Sequence, residues 1–133
     1  MSREDPELIL IVEDNERNLR LVRDLLQVHG FATIEARDAR TGLELAAVRK
    51  PVLILMDIQL PDMDGIAALR RLRGDSETAS ILVVALTAFA MSTDRERFLD
   101  AGFDGYVEKP IEVGLFPGYV RALLRRRASD VPV

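Results

Sequence analysis

Five residues spread along the chain carry side chains that could act together on a phosphate or a metal ion: Glu13, Asp14, Asp57, Thr87 and Lys109. They stand directly after candidate strands. If those strands lie side by side and run the same way, three carboxylates, a hydroxyl and an ammonium share one rim. Carboxylates crowded within a few ångströms repel, and the cluster is costly without a cation. The donors on offer are oxygens, since the chain has no Cys and 1 His, and this favours a hard divalent ion such as Mg²⁺ over zinc. A magnesium ion beside a lysine and a threonine suits a phosphoryl group. The cations can neutralise its oxygens, Thr87 can hydrogen-bond one of them, and a carboxylate can attack as nucleophile. Asp57 is the candidate nucleophile because it stands alone after the most central apolar run, whereas Glu13 and Asp14 form a pair suited to holding the ion. Taken singly, an acidic residue after a strand is ordinary loop or cap chemistry. The joint placement is what argues for a site.

The elements that must bring these residues together are legible in the hydrophobic pattern. Runs at 8–12, 52–56 and 81–86 are almost wholly Ile, Leu and Val, too short for buried helices and suited to strands covered on both faces. Weaker candidates at 31–36 and 105–108 mix in polar residues and fit sheet edges. Between them lie amphipathic stretches with recognisable ends. Asn15 can cap the first helix, which carries Leu19, Val22, Leu25 and Leu26 on one face and stops at Gly30. Asp38 can cap the second, ended by Pro51, and Asp64 the third, ended by Gly74. Thr93 and Glu96 form a capping box for a fourth, closed by Gly102. In the fifth, Gly114, Pro117 and Gly118 mean that the helix either begins late, near Gly114, or kinks at Pro117. Strand and helix alternate five times. The expected fold is α/β, a doubly wound parallel sheet of five strands in the order 2-1-3-4-5, whose ligands bind beyond the carboxyl ends where the order reverses, between the first and third strands.

Composition removes several function classes. With 133 residues, the chain suits one domain with a core of its own and leaves little for a second. The absence of Cys excludes disulfide scaffolds, thiolate metal sites and cysteine nucleophiles. No apolar run spans a bilayer, and the acidic start around Glu4, Asp5 and Glu7 is opposite to a signal peptide, so a cytoplasmic protein with no membrane contact is expected. A net charge of −4 weighs against nucleic acid as ligand, and the run Arg125, Arg126, Arg127 is better explained by the helix C-terminus it ends. His29 reads as a helix-end residue and Gly65 as a turn glycine.

Four segments then carry a resemblance: Ile11-Val-Glu-Asp-Asn15, Met56-Asp-Ile-Gln-Leu-Pro-Asp-Met-Asp-Gly65, Ala85-Leu-Thr-Ala88 and Tyr106-Val-Glu-Lys-Pro110. In this order and spacing the chain resembles the response-regulator receiver domains of two-component systems, in particular DivK-type single-domain regulators. The resemblance implies a flavodoxin-like receiver over 8–127, with an N-terminal extension at 1–7 and a short tail at 128–133. It implies that Asp57 accepts a phosphoryl group from a histidine kinase or a histidine phosphotransfer protein. Glu13, Asp14 and Asp57 would hold Mg²⁺ with the backbone carbonyl of Gln59. Glu13 departs from the commoner Asp and is expected to act through water. Thr87 and Lys109 would bind the phosphoryl oxygens, Tyr106 would be the aromatic switch that follows Thr87, and a cis peptide would precede Pro110.

The implied output is protein contact through the face made by the fourth helix, fifth strand and fifth helix, in a monomer or weak dimer. Tyr106 has a plainer reading as an edge-strand aromatic. Ala88, Phe89, Ala90 and Met91 are either core packing or part of a docking patch. Gln59 and Phe89 would flank the path of the water that ends the phosphorylated state. The implied class is a signalling switch, catalysing only its own phosphorylation and dephosphorylation. Alternatives stay open: a receiver from a longer hybrid kinase, a receiver-like binding module that is never phosphorylated, and a metal-dependent phosphatase on the same kind of fold.

Overall fold

The computed structural model describes residues 6–88 and 92–129, with side chains at all of these except 92–94 and 127–129. The expectations for Phe89, Ala90, Met91, the Thr93 side chain, the Arg127 side chain and the termini lie outside the described residues. Strands and helices alternate as β1 (Leu8–Val12), α1 (Glu16–Val28), β2 (Ala32–Ala36), α2 (Ala39–Arg49), β3 (Leu53–Asp57), α3 (Gly65–Gly74), β4 (Leu82–Thr87), α4 (Ser92–Ala101), β5 (Gly105–Glu108) and α5 (Phe116–Ser129). All strands are parallel, in the order β2-β1-β3-β4-β5.

The apolar runs form the three central strands because both of their faces are covered. Ile9, Ile11, Leu53, Leu55, Val84 and Leu86 pack with α1 and α5, while Leu10, Val12, Ile54, Met56, Val83 and Ala85 pack with the helices of the opposite layer. The polar β2 lies at an edge, as its Thr33 and Glu35 require. Helix starts follow the caps: Asn15 Oδ1 accepts from Asn18 N at 3.0 Å, Asp38 Oδ1 from Thr41 N at 2.7 Å, and Asp64 Oδ1 from Ala67 N at 2.9 Å. The fifth helix takes the late start. Its first residue is Phe116, so Pro117 falls in the first turn, where its missing N–H leaves no helical bond unmade. Among the described residues no helix is long and apolar enough to cross a membrane.

The amino end of the sheet is knotted by Arg73 at the end of α3. Its guanidinium donates to the carbonyls of Ala79, Ile81 and Gly102 at 3.0, 2.7 and 3.0 Å, and to Asp104 Oδ2 at 2.8 Å. The same Asp104 oxygen accepts from Val83 N at 2.9 Å, and Asp104 N donates to Val83 O at 2.8 Å. These bonds tie α3, β4 and β5 together at the rim opposite the strand carboxyl ends.

Candidate functional site at the carboxyl rim

Strand register alone fixes who meets whom. Val12 pairs with Met56, so Glu13 is level with Asp57; Asp57 pairs with Leu86, so Thr87 stands one residue further along; and Thr87 pairs with Glu108, which brings Lys109 to the same rim. Asp57 and Thr87 are the last residues of their strands rather than the first after them. The ladder is made by backbone groups and continues through a polar side chain as readily as through an apolar one. Lys109 N donates to Thr87 O at 2.8 Å, and Glu13 N to Ala36 O at 2.9 Å.

All five expected side chains therefore sit on one rim, and three are almost closed off from water: Glu13 is 0% exposed, Thr87 1% and Asp57 4%. Asp14 is exposed. One carboxylate oxygen from each of Glu13, Asp14 and Asp57 lies within 4.8 Å of the others. Lys109 Nζ bridges two of them, donating to Asp57 Oδ2 at 2.9 Å and lying 2.8 Å from Glu13 Oε1. The Lys109–Pro110 peptide is cis. The second oxygen of each acid meets a backbone amide, Gln59 N to Asp57 Oδ1 at 2.9 Å and Asn15 N to Glu13 Oε2 at 3.3 Å.

The electrostatics are those of an incomplete cluster. Three carboxylates against one ammonium leave two formal negative charges, the charge of one divalent cation. Glu13 Oε1 is buried without a hydrogen-bond partner, because its contact with Lys109 is an ion pair too oblique for a hydrogen bond. Burial, then the neighbouring Asp57, push the Glu13 carboxyl from 4.5 up to about 7, against the opposing pull of Lys109. Burial acts to lower the Lys109 ammonium, but its close contacts and charge attraction with Glu13 and Asp57 outweigh this and raise it. An all-oxygen donor set with an orphaned buried acceptor and an exposed side at Asp14 fits Mg²⁺.

Tyr106 lies half-buried on the α4 side of β5, with the guanidinium of Arg95 over its ring at 5.1 Å from the centroid. Its amide donates to Tyr119 Oη at 3.1 Å, which ties the edge strand to α5. Gly65 has a close-contact role. A Cβ there would meet Ile58 Cα at 2.9 Å and Asp57 O at 3.0 Å, so the helix can start hard against the residue that follows Asp57. His29 caps the end of α1, and its carbonyl accepts from Arg121 Nη2 at 2.7 Å. Sequence reasoning missed Arg95 and Asp62. Asp62 accepts from Ala39 N at 2.8 Å and Arg40 N at 3.0 Å, across more than twenty residues of sequence. Its only local signal is a Pro-Asp turn.

Residues 9–120 match the family described as the response regulator receiver domain. The chain belongs to this family. Among receiver relatives, the polar-differentiation response regulator DivK of Brucella anthropi is 44% identical over 119 residues, covering 90% of this chain and 97% of DivK. The Brucella ovis DivK is 44% identical over 116 residues, covering 87% and 94%. The receiver domain of the sensor histidine kinase PA1611 from Pseudomonas aeruginosa, solved with a magnesium ion coordinated in its active-site cleft, superposes with a TM-score of 0.78 at 31% identity, covering 91% of this chain and 96% of that one. The chemotaxis response regulator CheY4 of Vibrio cholerae shares the fold, with a TM-score of 0.84 at 21% identity over 89% of this chain and 98% of its own.

Proposed function

We propose that this receiver is a phosphorylation switch whose acceptor is Asp57 and whose phosphodonor is the phosphohistidine of a histidine kinase or phosphotransfer protein. The observation that carries the reading is the bridge of Lys109 between Asp57 and Glu13 in a cluster that is short of two positive charges. A Mg²⁺ ion would be held by Glu13, Asp14, Asp57 and the carbonyl of Gln59. When bound, it supplies charge neutralisation to the phosphoryl oxygens.

The chain's own groups do the rest. The Asp57 carboxylate attacks phosphorus; an O–P bond forms, the P–N bond breaks, and its electron pair leaves on the imidazole nitrogen, which takes up a proton. Lys109 already points its ammonium at Asp57 Oδ2 and neutralises a phosphoryl oxygen at small displacement. Thr87, at the next strand end, supplies a hydroxyl to another oxygen. The phosphoryl group draws Thr87 toward it, Tyr106 follows, and the face of α4, β5 and α5 changes its shape for a protein target. Similarity along nearly the whole length of DivK supports this class of output.

The test is intact-mass analysis after incubation with Mg²⁺ and a small phosphodonor such as acetyl phosphate. The wild type gains one phosphoryl group and Asp57→Asn gains none. A wild type that gains none overturns the proposal and favours a binding module that is never phosphorylated, and a variant that gains as much overturns Asp57 as the acceptor.

A further inference from the structure

The loop from Ile58 to Asp64 leaves Asp57 and returns to start α3, and it is closed at its root. Gly65 N donates to Ile58 O at 2.8 Å, and Gln59 and Asp64 form an isolated bridge. Its tip is fastened to another element altogether. The two oxygens of Asp62 take the amides of Ala39 and Arg40, the first two residues of α2, at 2.8 and 3.0 Å. Asp38 takes Thr41 N, so two carboxylates from different segments share the first three amides of the helix. The first turn of α2 has no acidic residue of its own, and Asp62 supplies that charge from outside. The same two backbone amides hold the Asp62 carboxyl below its ordinary range, although the residue is exposed.

The anchor does not yield. Ala39 is fully buried, and Gly42 is pressed so closely on Val12 that a Cβ there would lie 2.8 Å from Val12 Cγ2. Val12 immediately precedes Glu13. A helix seated on the strand that delivers Glu13 is thus tied to the loop that leaves Asp57, and a residue of that loop, Gln59, holds Asp57 Oδ1 through its amide at 2.9 Å.

We infer that Asp62 is a positioning residue. By clamping the loop tip to α2, it fixes Gln59 against Asp57 and so sets the affinity for the divalent ion. The inference rests on the proposed metal site, and partners that orient ligands in this way typically change metal affinity by about tenfold or more when removed.

Three variants test it: Asp62→Ala, Asp62→Asn, which keeps one acceptor oxygen, and Asp38→Ala, which removes a cap from the same helix end but leaves the Asp62 carboxylate in place. Mg²⁺ is titrated calorimetrically, and exchange of the Gln59 amide is followed by NMR in metal-free protein. Asp62→Ala is expected to weaken Mg²⁺ about tenfold and to speed Gln59 exchange, Asp62→Asn to fall between it and wild type, and Asp38→Ala to bind and exchange like wild type despite lower resistance to urea. Wild-type affinity in Asp62→Ala, or an equal loss in Asp38→Ala, overturns the inference. If wild type binds no Mg²⁺, the metal reading fails, and amide exchange still decides the clamp: faster only in Asp62→Ala supports it, equal in both alanine variants refutes it.

Discussion

Replacing Gly105 by Ala should cost about 2 kcal/mol of stability, and replacing Tyr119 by Phe in the same molecule should give half of that back. A Cβ on Gly105 would lie 2.2 Å from Tyr119 Oη, where ordinary contact begins at 3.4 Å, so the hydroxyl must retreat by about 1.2 Å. At 3.1 Å from Tyr106 N it has no slack, and the retreat breaks its hydrogen bond to that edge amide. The lost bond is worth about 1 kcal/mol and the displaced ring about 1–3 kcal/mol, reduced by about 0.5 kcal/mol because Ala orders more cheaply than Gly in a strand. Tyr119→Phe alone loses only the bond, about 1 kcal/mol. In the double variant the ring meets the new methyl at Cζ, 3.3 Å away, which a small shift accommodates. It should therefore resemble Tyr119→Phe, with a coupling of about 2 kcal/mol between the two sites. Urea unfolding followed by circular dichroism completes the cycle, a suitable probe for a chain with no Trp. If the cost of Gly105→Ala is the same with Tyr or Phe at 119, the hydroxyl is not what the glycine makes room for.

Two further outcomes follow from the charges. Lowering the pH from 8 to 6 should weaken Mg²⁺ binding about tenfold, with release of about 0.9 proton per ion at pH 6, because the Glu13 carboxyl at about 7 must ionise to face the ion. Calorimetry in buffers of differing ionisation enthalpy counts the protons, and Glu13→Gln should lose the pH slope. The same carboxyl is raised above its unfolded value of 4.5, so without metal it favours folding at low pH, and that contribution is lost as pH rises through about 7. Thermal melts of metal-free protein should show this decline, and Mg²⁺ should reverse it. At the opposite rim, Arg73→Met strips donors from three backbone carbonyls and Asp104, and should cost about 2–4 kcal/mol in urea without changing phosphorylation by acetyl phosphate.

Much of this molecule was legible in its sequence for a plain reason. Ile, Leu and Val runs bury both faces, so 8–12, 52–56 and 81–86 could only be central, and sheet order then brought Glu13, Asp57, Thr87 and Lys109 to one rim. The strand ends were read one residue short at Asp57 and Thr87, since hydropathy marks side-chain burial while the ladder is made by the backbone. Gly114, Pro117 and Gly118 left either a late start or a kink at Pro117 open for α5, and the helix starts late, at Phe116. The Asp62 clamp, the Arg95 guanidinium over Tyr106 and the Tyr119 bond to the Tyr106 amide have no spacing signature. They join residues whose local sequence announces only a turn, a solvated helix face and an apolar helix position.

The Arg73 knot has a consequence for how such a protein can change over time. It fastens α3, β4 and β5 at the end of the sheet opposite the proposed phosphorylation site. Substitutions far from a knot of this kind add to its effect rather than multiply it. The rim that carries Asp57 is then free to be rewritten, one residue at a time, while the far end keeps the fold.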